Sequence, residues 1–503
     1  MEIIGLGLIF AFLIKIYFTF SNNSWFQYSV NSDEIGHMAH EISLKLNNRQ
    51  SGQFFKNHFW NRSQNGYPSL FHNLIIFLFP NNSKLTTGRY LSGIFSLIPA
   101  IIFLIFGHHF FTQEELYFGT IPMLLGLANF GFILRQHKAY TARTFADFNI
   151  FLGFYFLLLY LENGNYYFVL GCLFFFVLIW FCSEFGIQTL IIIPIIWSCV
   201  SLTVIPILFS IGSFLIAMMI NKKGLFNILN HKYAHWFWFY TNQNNVFKPI
   251  KFNKVFSFKG TYSFLMSHVF LGLLLQFIPY IIYFFYITLE GFRPNYYLDG
   301  FILASIVSSF LTVFKKFRFL GPSYRYSLYA LPFIWIKFYQ YDQSLASLFL
   351  LVEVLFSIVF SFFILKNLIK RKKIDSNELK DISNIVDKKG LNVLLSPFGL
   401  VNYFIVLNKK IDAKYLTFFD NDYDLEMHKF YNKYIEYPNI KLKPNLLNFI
   451  KEKFKINLFL IQKASYKNKS EFNYLKRLYA VEYESEKYLV INLQTTVVSN
   501  QDT

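Results

Sequence analysis

Long apolar stretches separated by polar loops run through roughly the first three quarters of the chain. A helix that crosses a bilayer needs about 20 mostly apolar residues, and by that measure the pattern predicts about eleven spans. They lie near residues 3–20, 89–111, 115–134, 144–161, 166–182, 186–220 (two spans with a turn between them), 263–288, 299–314, 324–340 and 343–367. The apolar piece Leu70–Phe79 is too short to span and predicts a helix at the membrane interface.

The pattern changes after Arg371-Lys372-Lys373. Residues 374–503 carry short apolar runs and amphipathic stretches, which favour a small soluble α/β domain. The predicted fold is therefore a polytopic all-α membrane protein, residues 1–367, with a small C-terminal soluble α/β domain, residues 368–503. The first apolar segment follows a near-uncharged start and lacks a small-residue cleavage site, so we expect a retained helix rather than a signal peptide.

The composition agrees with a membrane protein and adds a strong basic bias. Apolar residues make up 54% of the chain, and the formal net charge is +18. The excess lies in a few loops and the tail, which can bind anionic lipid headgroups or phosphate-bearing substrates. Membrane-length spans separate the basic clusters, which argues against nucleic acid as a partner. The three cysteines lie in or beside apolar segments, which argues against a disulfide framework. They also show no metal-ligand spacing.

Two adjacent carboxylates, Asp33 and Glu34, follow the first span and are the best candidates for a catalytic group. Adjacent side chains point in different directions, so one can face a substrate while the other orients it. A carboxylate at a membrane interface, flanked by apolar groups, can have a raised pKa and act as a general base. The alternative interpretation is structural: Asp33 caps a helix from Ile35 to Leu46, with Glu34 in its first turn.

Cations near the ends of the spans are candidates for binding a phosphate. They are Arg89 at the start of one span, Arg135, Lys138 and Arg143 between two others, and Arg318 and Arg325 around Tyr324 before a further span. Arginine offers phosphate oxygens a planar fork, and lysine offers a point charge. The alternative is ordinary anchoring, in which such side chains reach the lipid headgroups.

Other polar residues near the span ends add weaker signals. Glu184 is placed at the end of the fifth span, where an acid opposes the helix macrodipole, so pairing with a nearby cation is expected. Tyr67 and Pro68 open the interfacial helix, because proline suits a helix start. His37 and His40 follow the acidic pair but are too isolated to indicate a metal site.

Five segments, in this order, resemble motifs of the C-type (GT-C) integral-membrane glycosyltransferases. This superfamily includes the dolichyl-phosphate-mannose protein mannosyltransferases and the bacterial enzymes that put aminoarabinose on lipid A. The segments are Ser32 to Ala39 (acidic motif of the first external loop), Gly66 to Asn73 (proline-aromatic segment), Gly88 to Ser92 (arginine opening a span), Arg135 to Phe145 (basic stretch) and Phe319 to Pro332 (Arg-Tyr motif followed by a proline). The resemblance covers most of residues 1–367.

The resemblance implies a GT-C-like fold and transfer of a sugar, with inversion, from a polyprenyl-phosphate carrier to a glycan, lipid or protein acceptor. Asp33 would be the base or acceptor-orienting group, with Glu34 supporting it. The implied substrate-binding residues are Tyr67, Arg89, Arg135, Lys138, Arg143, Glu184, Arg318, Tyr324 and Arg325. No cofactor and no obligatory metal are expected, and membrane lipids are the remaining partners.

The residues leave other functions open: another protein of lipid-linked glycans (polymerase, ligase or flippase), a solute transporter or a non-catalytic scaffold. A flippase is expected to carry charge that lines a central cavity within the spans, whereas the basic residues here cluster on one face. A transporter tends to show broken helices and polar groups at the midplane, but Lys15 is the only clear charge in the middle of a predicted span. The resemblance places that face, and the C-terminal domain, in the periplasm or outside the cell, with the protein in the bacterial inner membrane. The positive-inside rule argues for the cytoplasm, but it weakens for long loops. A polyprenyl-phosphate site also needs cations on its own side.

Overall fold

A computed structural model describes most of the chain. It covers residues 2–20, 33–48, 59–60, 67–81, 85–125, 140–246, 288, 297–312, 317, 320, 324–352, 354–355, 376–416, 435–436, 439–466 and 470–496. The predicted site residues Arg135, Lys138 and Arg318 lie outside these ranges. For Asp33 and Tyr324, the backbone is described but the side chain is not.

The described residues before residue 356 are mostly helical, as the apolar pattern predicts. The helices are α1 (Glu2–Phe20), α2 (Asp33–Leu46), α3 (Leu70–Leu78), α4 (Leu85–Gly107), α5 (Gln113–Leu125), α6 (Ala142–Asn163), α7 (Tyr167–Cys182), α8 (Glu184–Val200), α9 (Ile205–Val246), α10 (Tyr297–Leu311), α11 (Tyr324–Leu328), α12 (Leu331–Tyr341) and α13 (Gln343–Val352). The predicted separate short helix after Pro68 is present as α3, and the predicted turn between two spans separates α8 from α9.

Several of these helices suit a bilayer. Among the described residues, three stretches are long and apolar enough to cross a membrane: Thr87–Gly107 of α4, all of α6, and Ile205–Tyr233 of α9. Shorter apolar helices accompany them, namely α7, α8, α10, α13 and the central part of α1. The number of about eleven spans stays a prediction, because some predicted spans are described only in part.

Helix α9 extends beyond the predicted end of its span. The pattern predicts a loop over 221–262, but the backbone is helical to Val246 apart from one kink. At the kink, Asn221 has φ −153° and ψ 76°, and its Oδ1 accepts a hydrogen bond from the Gly224 amide at 2.9 Å. Asparagine is a strong N-cap, so a second helical segment begins there. That segment carries His231.

Aromatic rings fill the core between the apolar helices. Phe154 of α6 contacts the rings of Phe176 and Phe301, at centroid distances of 5.2 and 5.3 Å. Gly153 allows α7 to approach α6 closely, because a Cβ atom there would lie 2.4 Å from the Phe176 ring. Many of the phenylalanines therefore hold helices together through packing and ring contacts.

A six-stranded mixed sheet organises the C-terminal part. The elements of this part are α14 (Ser376–Val386), β2 (Asn392–Ser396), α15 (Leu400–Asn408), β3 (Lys414–Leu416), β4 (Ile435–Glu436), β5 (Asn439–Ile440), α16 (Pro444–Phe454), β6 (Leu458–Gln462), α17 (Ser470–Leu478), β7 (Tyr479–Glu484) and β8 (Tyr488–Thr496). Strands β4 and β5 pair with each other in a separate two-stranded sheet. In the six-stranded sheet, β3, β2 and β6 are parallel, and β8 and β7 follow antiparallel. The boundary between residues 367 and 368, and the solubility of this part, stay predictions.

One strand of this sheet comes from the first long loop. Strand β1 (Phe59–Trp60) lies at the sheet edge and pairs in parallel with β3. Phe59 stands opposite Tyr415, and Trp60 stands opposite Leu416. Backbone pairing therefore joins the loop between α2 and α3 to the C-terminal sheet.

Helix α2 lies where the membrane helices meet the C-terminal part. It packs against both α3 and α15. Its buried Ile35, Met38, Ala39 and Ile42 belong to one hydrophobic cluster with residues of α3, α6, α14 and α15. Their spacing of i, i+3, i+4 and i+7 is that of one apolar face of a helix.

Candidate active site

Helix α2 also carries a polar row. Glu34, His37 and Glu41 stand at i, i+3 and i+7, a spacing that places side chains on one face of a helix. All three side chains are buried. Each has a partner on another element, which a buried polar group needs if it is not to destabilise the fold.

Glu34 and Arg89 form a buried ion pair. Arg89 Nε donates to Glu34 Oε1 at 2.7 Å, and Nη2 donates to Oε2 at 2.8 Å. The backbone amide of Tyr140 donates to the same Oε1 at 2.9 Å. The Glu34 and Arg89 side chains are only 1% and 8% exposed. This bidentate geometry joins the first turn of α2 to the first turns of α4.

Asp33 is the first residue of α2, directly before the paired Glu34. The helix runs to Leu46, as the structural interpretation of the acidic pair predicts. The catalytic role of Asp33 stays a prediction, because the Asp33 side chain lies outside the described atoms. Both oxygens of Glu34 are already bonded to Arg89, an arrangement that suits a supporting role better than proton transfer.

Tyr140 closes over the start of α4. Its hydroxyl donates to Glu41 Oε2, and Lys45 Nζ lies 2.9 Å from the other oxygen of that carboxylate. A Cβ atom at Gly88 would lie 2.4 Å from the Tyr140 ring, so glycine beside Arg89 allows this contact. Burial, and then the Glu41 carboxylate, raises the pKa of Tyr140 well above its ordinary value. Its hydroxyl therefore keeps its proton at neutral pH.

Three imidazoles gather between α2 and α3. His37 Nδ1 lies 3.0 Å from His72 Nε2 in a hydrogen bond. The His40 ring meets the His72 ring edge-on, with 4.7 Å between centroids. Tyr67, a predicted substrate-binding residue, meets His40 in the same way at 5.0 Å. The sequence predicts no such cluster, because His72 comes from a separate helix.

Acid should destabilise the protein through His72. Burial, and then the neighbouring His40 and His37, lowers the pKa of His72 well below its ordinary value of 6.5. The unfolded chain then binds the proton more tightly, so this contribution to stability is complete above about pH 6.5 and decreases as the pH falls from there toward the folded-state pKa. We expect the melting temperature to fall between about pH 7 and pH 5.5, and to fall less in His72→Gln. An equal fall in the variant would assign the acid sensitivity to other groups.

A second charged cluster forms where α11 meets α6. Arg325 Nη2 and the Tyr329 hydroxyl both donate to Asp147 Oδ1, each at 2.8 Å. The Arg325 guanidinium lies 3.9 Å from the centroid of the Phe185 ring, a cation–π contact. Arg325 is only 4% exposed. The Asp147 carboxylate and the Phe185 ring therefore help to hold its charge in a water-poor setting.

Glu184 opens α8, and the predicted position at the end of the preceding span is wrong. Ser183 has an extended backbone (φ −162°, ψ 137°) that separates α7 from α8. In the first turn of a helix, a carboxylate interacts favourably with the macrodipole. The expected pairing with a cation is present, because Lys232 Nζ lies 3.5 Å from Glu184 Oε2. His231 Nδ1 contacts Oε1 of the same carboxylate.

Tyr67 connects two clusters. The first, on α2, α3 and α4, contains the Glu34–Arg89 pair and the three imidazoles; the second, around α6, α8, α9 and α11, contains the Arg325 and Glu184 ion pairs. The Tyr67 ring contacts His40 on α2 and meets His231 on α9 edge-on, with 6.1 Å between centroids. Phe185, which follows Glu184 in α8, lies against the Arg325 guanidinium, so the Glu184 and Arg325 groups are neighbours. The predicted residues that the structure brings into this continuous polar region are Glu34, Tyr67, Arg89, Glu184 and Arg325. Such a region, with arginines held by carboxylates beside imidazoles, can bind an anionic group and accept protons.

The remaining predicted residue with a described side chain is Arg143. It lies in the first turn of α6, one turn before Asp147, so both residues stand on the same face of that helix. Its role as a substrate ligand stays a prediction.

Sequence reasoning overlooked the partners of the predicted residues, namely His72, Asp147, His231 and Lys232. A signal for Asp147 was present, because an ionisable residue inside an apolar, membrane-length helix marks a paired or functional position. His231 and Lys232 fell in a segment predicted to be a loop. Their contacts with Glu184 depend on the continuation of α9 beyond Asn221.

The described residues contain no group of three or more His, Cys, Asp or Glu side chains arranged to hold a metal ion. The expectation that no metal is obligatory stays a prediction, because the Asp33 side chain belongs to the undescribed part of the site.

No protein-family model matches the chain, and no curated protein matches its sequence. Solved structures match it in fold. The oligosaccharyltransferase of Archaeoglobus fulgidus in complex with zinc and sulfate aligns with a TM-score of 0.56 and 11% identity, over 91% of this chain and 68% of that one. The same enzyme tethered through a disulfide to an acceptor peptide with the NVT sequon aligns with a TM-score of 0.57 and 10% identity, over 91% and 69%.

The alignment with a second membrane enzyme extends over almost the whole of both chains. ArnT from Cupriavidus metallidurans, bound to undecaprenyl phosphate, aligns with a TM-score of 0.50 and 11% identity, over 96% of this chain and 97% of that one. Both similar enzymes are C-type glycosyltransferases. The likeness confirms, at the level of the fold, the resemblance that the five sequence motifs predict. This chain therefore has the fold of the C-type (GT-C) membrane glycosyltransferases.

Proposed function

We propose that this protein transfers a sugar, with inversion at the anomeric carbon, from a polyprenyl-phosphate carrier to an acceptor. The observation that carries the proposal is the joining of five predicted residues into one polar region, in which Glu34, Arg89 and Arg325 are buried. Glu34, Tyr67, Arg89, Glu184 and Arg325 come from separate parts of the chain, yet they belong to two clusters that Tyr67 connects. The fold shared with ArnT bound to undecaprenyl phosphate supports this class of donor.

The acidic pair divides into two roles. Glu34 is held by Arg89 and by the Tyr140 amide, so it positions the first turn of α2. Asp33 is then the carboxylate that takes the proton from the acceptor hydroxyl. The acceptor oxygen forms a bond to the anomeric carbon, the bond from that carbon to the phosphate oxygen breaks, and its electron pair leaves with the polyprenyl phosphate. A positioned base of this kind typically contributes about 10²- to 10⁴-fold in rate.

The second cluster is the proposed site for the carrier phosphate. Arg325 and Lys232 are both buried; Arg325 pairs with Asp147, and Lys232 pairs with Glu184. Cations fixed in advance in a water-poor site stabilise the negative charge that grows on a leaving phosphate. Arg135, Lys138, Arg143 and Arg318 remain candidates for the same task.

The test of the proposal is a transfer assay on the purified protein in lipid nanodiscs. The donors would be radiolabelled polyprenyl-phosphate sugars, compared with nucleotide sugars that carry the same sugar. We expect release or transfer of the sugar from the polyprenyl carriers alone. Turnover of nucleotide sugars would contradict the proposed donor class. No binding of any polyprenyl phosphate would contradict the proposal as a whole.

Loss of Arg325 should weaken the use of the donor. A hydrogen bond to a charged group contributes about 1.5–3 kcal/mol, so we expect kcat/KM for the carrier to fall by about 10- to 100-fold in Arg325→Met. Arg325→Lys keeps the charge but lacks the planar guanidinium, so its kcat/KM for the carrier should lie between the values for the wild type and for Arg325→Met. The double variant Asp147→Asn/Arg325→Met is the control, because it leaves no unpaired carboxylate beside α11. Unchanged donor kinetics in both Met variants would remove Arg325 from the phosphate site.

A further inference from the structure

The acidic start of α2 touches the C-terminal part of the chain. Gly36 stands in the first turn of α2, and a Cβ atom added there would lie 3.5 Å from Asn402 Nδ2 in the first turn of α15. That distance is ordinary van der Waals contact, so the two helices already pack together at this point. Gly36 follows Asp33 and Glu34 within the same turn, so a shift of α2 at Gly36 shifts both carboxylates.

The contact continues along the apolar face of α2. Ile35 and Ala39 share a buried hydrophobic cluster with Val401 and Phe404 of α15, of which Phe404 is fully buried. Helix α14 packs on α15 and adds Ile382 to the same cluster. The C-terminal part therefore supplies much of the apolar surface that covers α2.

A second attachment lies farther along the same loop. Strand β1, which follows α2 in the chain, pairs with β3 at the edge of the C-terminal sheet. The Glu34–Arg89 pair attaches α2 to the membrane helices, whereas α15 and β3 attach α2 and its loop to the C-terminal part. The position of the acidic pair is thus set from two sides.

We propose that the C-terminal part is a positioning element for sugar transfer, with Asn402 and the face of α15 around it fixing the first turn of α2. The catalytic consequence rests on the proposed function, but the positioning itself does not. A reacting group has to be placed closely, and a shift of about 1 Å can reduce a rate by about 100-fold. The C-terminal part therefore acts on catalysis through Asp33 and Glu34, without touching the substrate in this role.

The test is a wedge at Gly36 and its relief. In Gly36→Leu, we expect the atoms beyond Cβ to press on Asn402 and shift α2, because a Cβ atom alone already lies at contact distance; Gly36→Leu/Asn402→Ala restores part of the space. Gly36→Ala separates the gain in helix propensity from the wedge, because alanine favours a helix over glycine and its Cβ fits the existing distance. Gly5→Leu on α1 is the size control, because nothing lies within 4 Å of a Cβ atom there.

Two readouts separate the positioning from the catalysis. Hydrogen exchange of the amides in residues 33–46 should quicken at least about 10-fold in Gly36→Leu, recover in the double variant, and not quicken in Gly36→Ala or Gly5→Leu. The turnover number should fall by about 10- to 100-fold in Gly36→Leu and recover in the double variant, with binding of the carrier unchanged.

Each outcome decides the inference. Unchanged exchange in Gly36→Leu would overturn the positioning role. Faster exchange with an unchanged turnover number would overturn its catalytic meaning. If exchange responds as expected but the wild type transfers no sugar, the proposed function fails while the positioning of α2 by the C-terminal part stands.

Discussion

Replacing Asp33 by asparagine should lower sugar transfer by about 10²- to 10⁴-fold, the largest effect we expect from any single substitution. Asparagine has almost the same size and is an equally good residue at the start of a helix, so α2 should keep its position. What the variant loses is the ability to take a proton from the acceptor. The measurement is the single-turnover rate with the carrier-linked sugar bound at saturation, alongside the binding of the carrier.

Glu34→Gln is the informative comparison for Asp33→Asn. It removes the charge that faces Arg89 but keeps an oxygen for the Tyr140 amide, so its effect should combine lower stability with lower activity. Asp33→Asn should lower activity alone. Transfer at the wild-type rate with unchanged stability in Asp33→Asn would contradict the assignment of Asp33 as the base and favour the structural interpretation of the acidic pair, because asparagine caps a helix equally well.

Replacing Arg89 by methionine should have the largest effect on stability. It leaves the Glu34 carboxylate buried without the two hydrogen bonds from Arg89, and removal of one partner of a buried ion pair destabilises a protein by about 3–5 kcal/mol. We expect a marked fall in the melting temperature in detergent and faster proteolysis of the region around α2. The double variant Glu34→Gln/Arg89→Met should be more stable than Arg89→Met, because no buried charge remains unpaired.

An exposed ion pair provides the matched control for Arg89. Lys410 lies 2.9 Å from Asp412, and both side chains are well exposed. Pairs of this kind contribute little, because water and salt screen them. Lys410→Met should therefore leave the melting temperature almost unchanged. Equal losses in Lys410→Met and Arg89→Met would show that burial of the Glu34–Arg89 pair has no special weight.

Much of the helical fold follows from local pattern. The turn between α8 and α9 and the short helix α3 were predicted, because apolar length and proline position are local properties. The predictions that were wrong concerned the ends of helices. The extended backbone of Ser183 makes Glu184 the start of α8, and Asn221 restarts α9 where two lysines suggest a loop. At Ser183 the extended backbone separates the helices, and at Asn221 a capping side chain outweighs the hydrophobic pattern.

The site was predictable in its members but not in its pairings. The motifs identify Glu34, Arg89 and Arg325, because each carries an unusual charge next to an apolar run. That Arg89 holds Glu34 and that Asp147 holds Arg325 are facts of tertiary structure, which no spacing along the chain encodes. Strand β1 is similar, because two residues leave no alternating pattern and their pairing depends on a partner far away in sequence.

The pairing of β1 with β3 has a consequence for the order of assembly. Chains generally fold from the N-terminus as they are synthesised, and contacts between distant segments form late. Phe59 leaves the ribosome long before Tyr415, its partner in the sheet. The loop that follows the acidic helix must therefore wait, with its strand unpaired, while the helices between them are made and inserted. The pairing of β1 with β3 and the packing of α15 on α2 can therefore form only after all the intervening helices have been made.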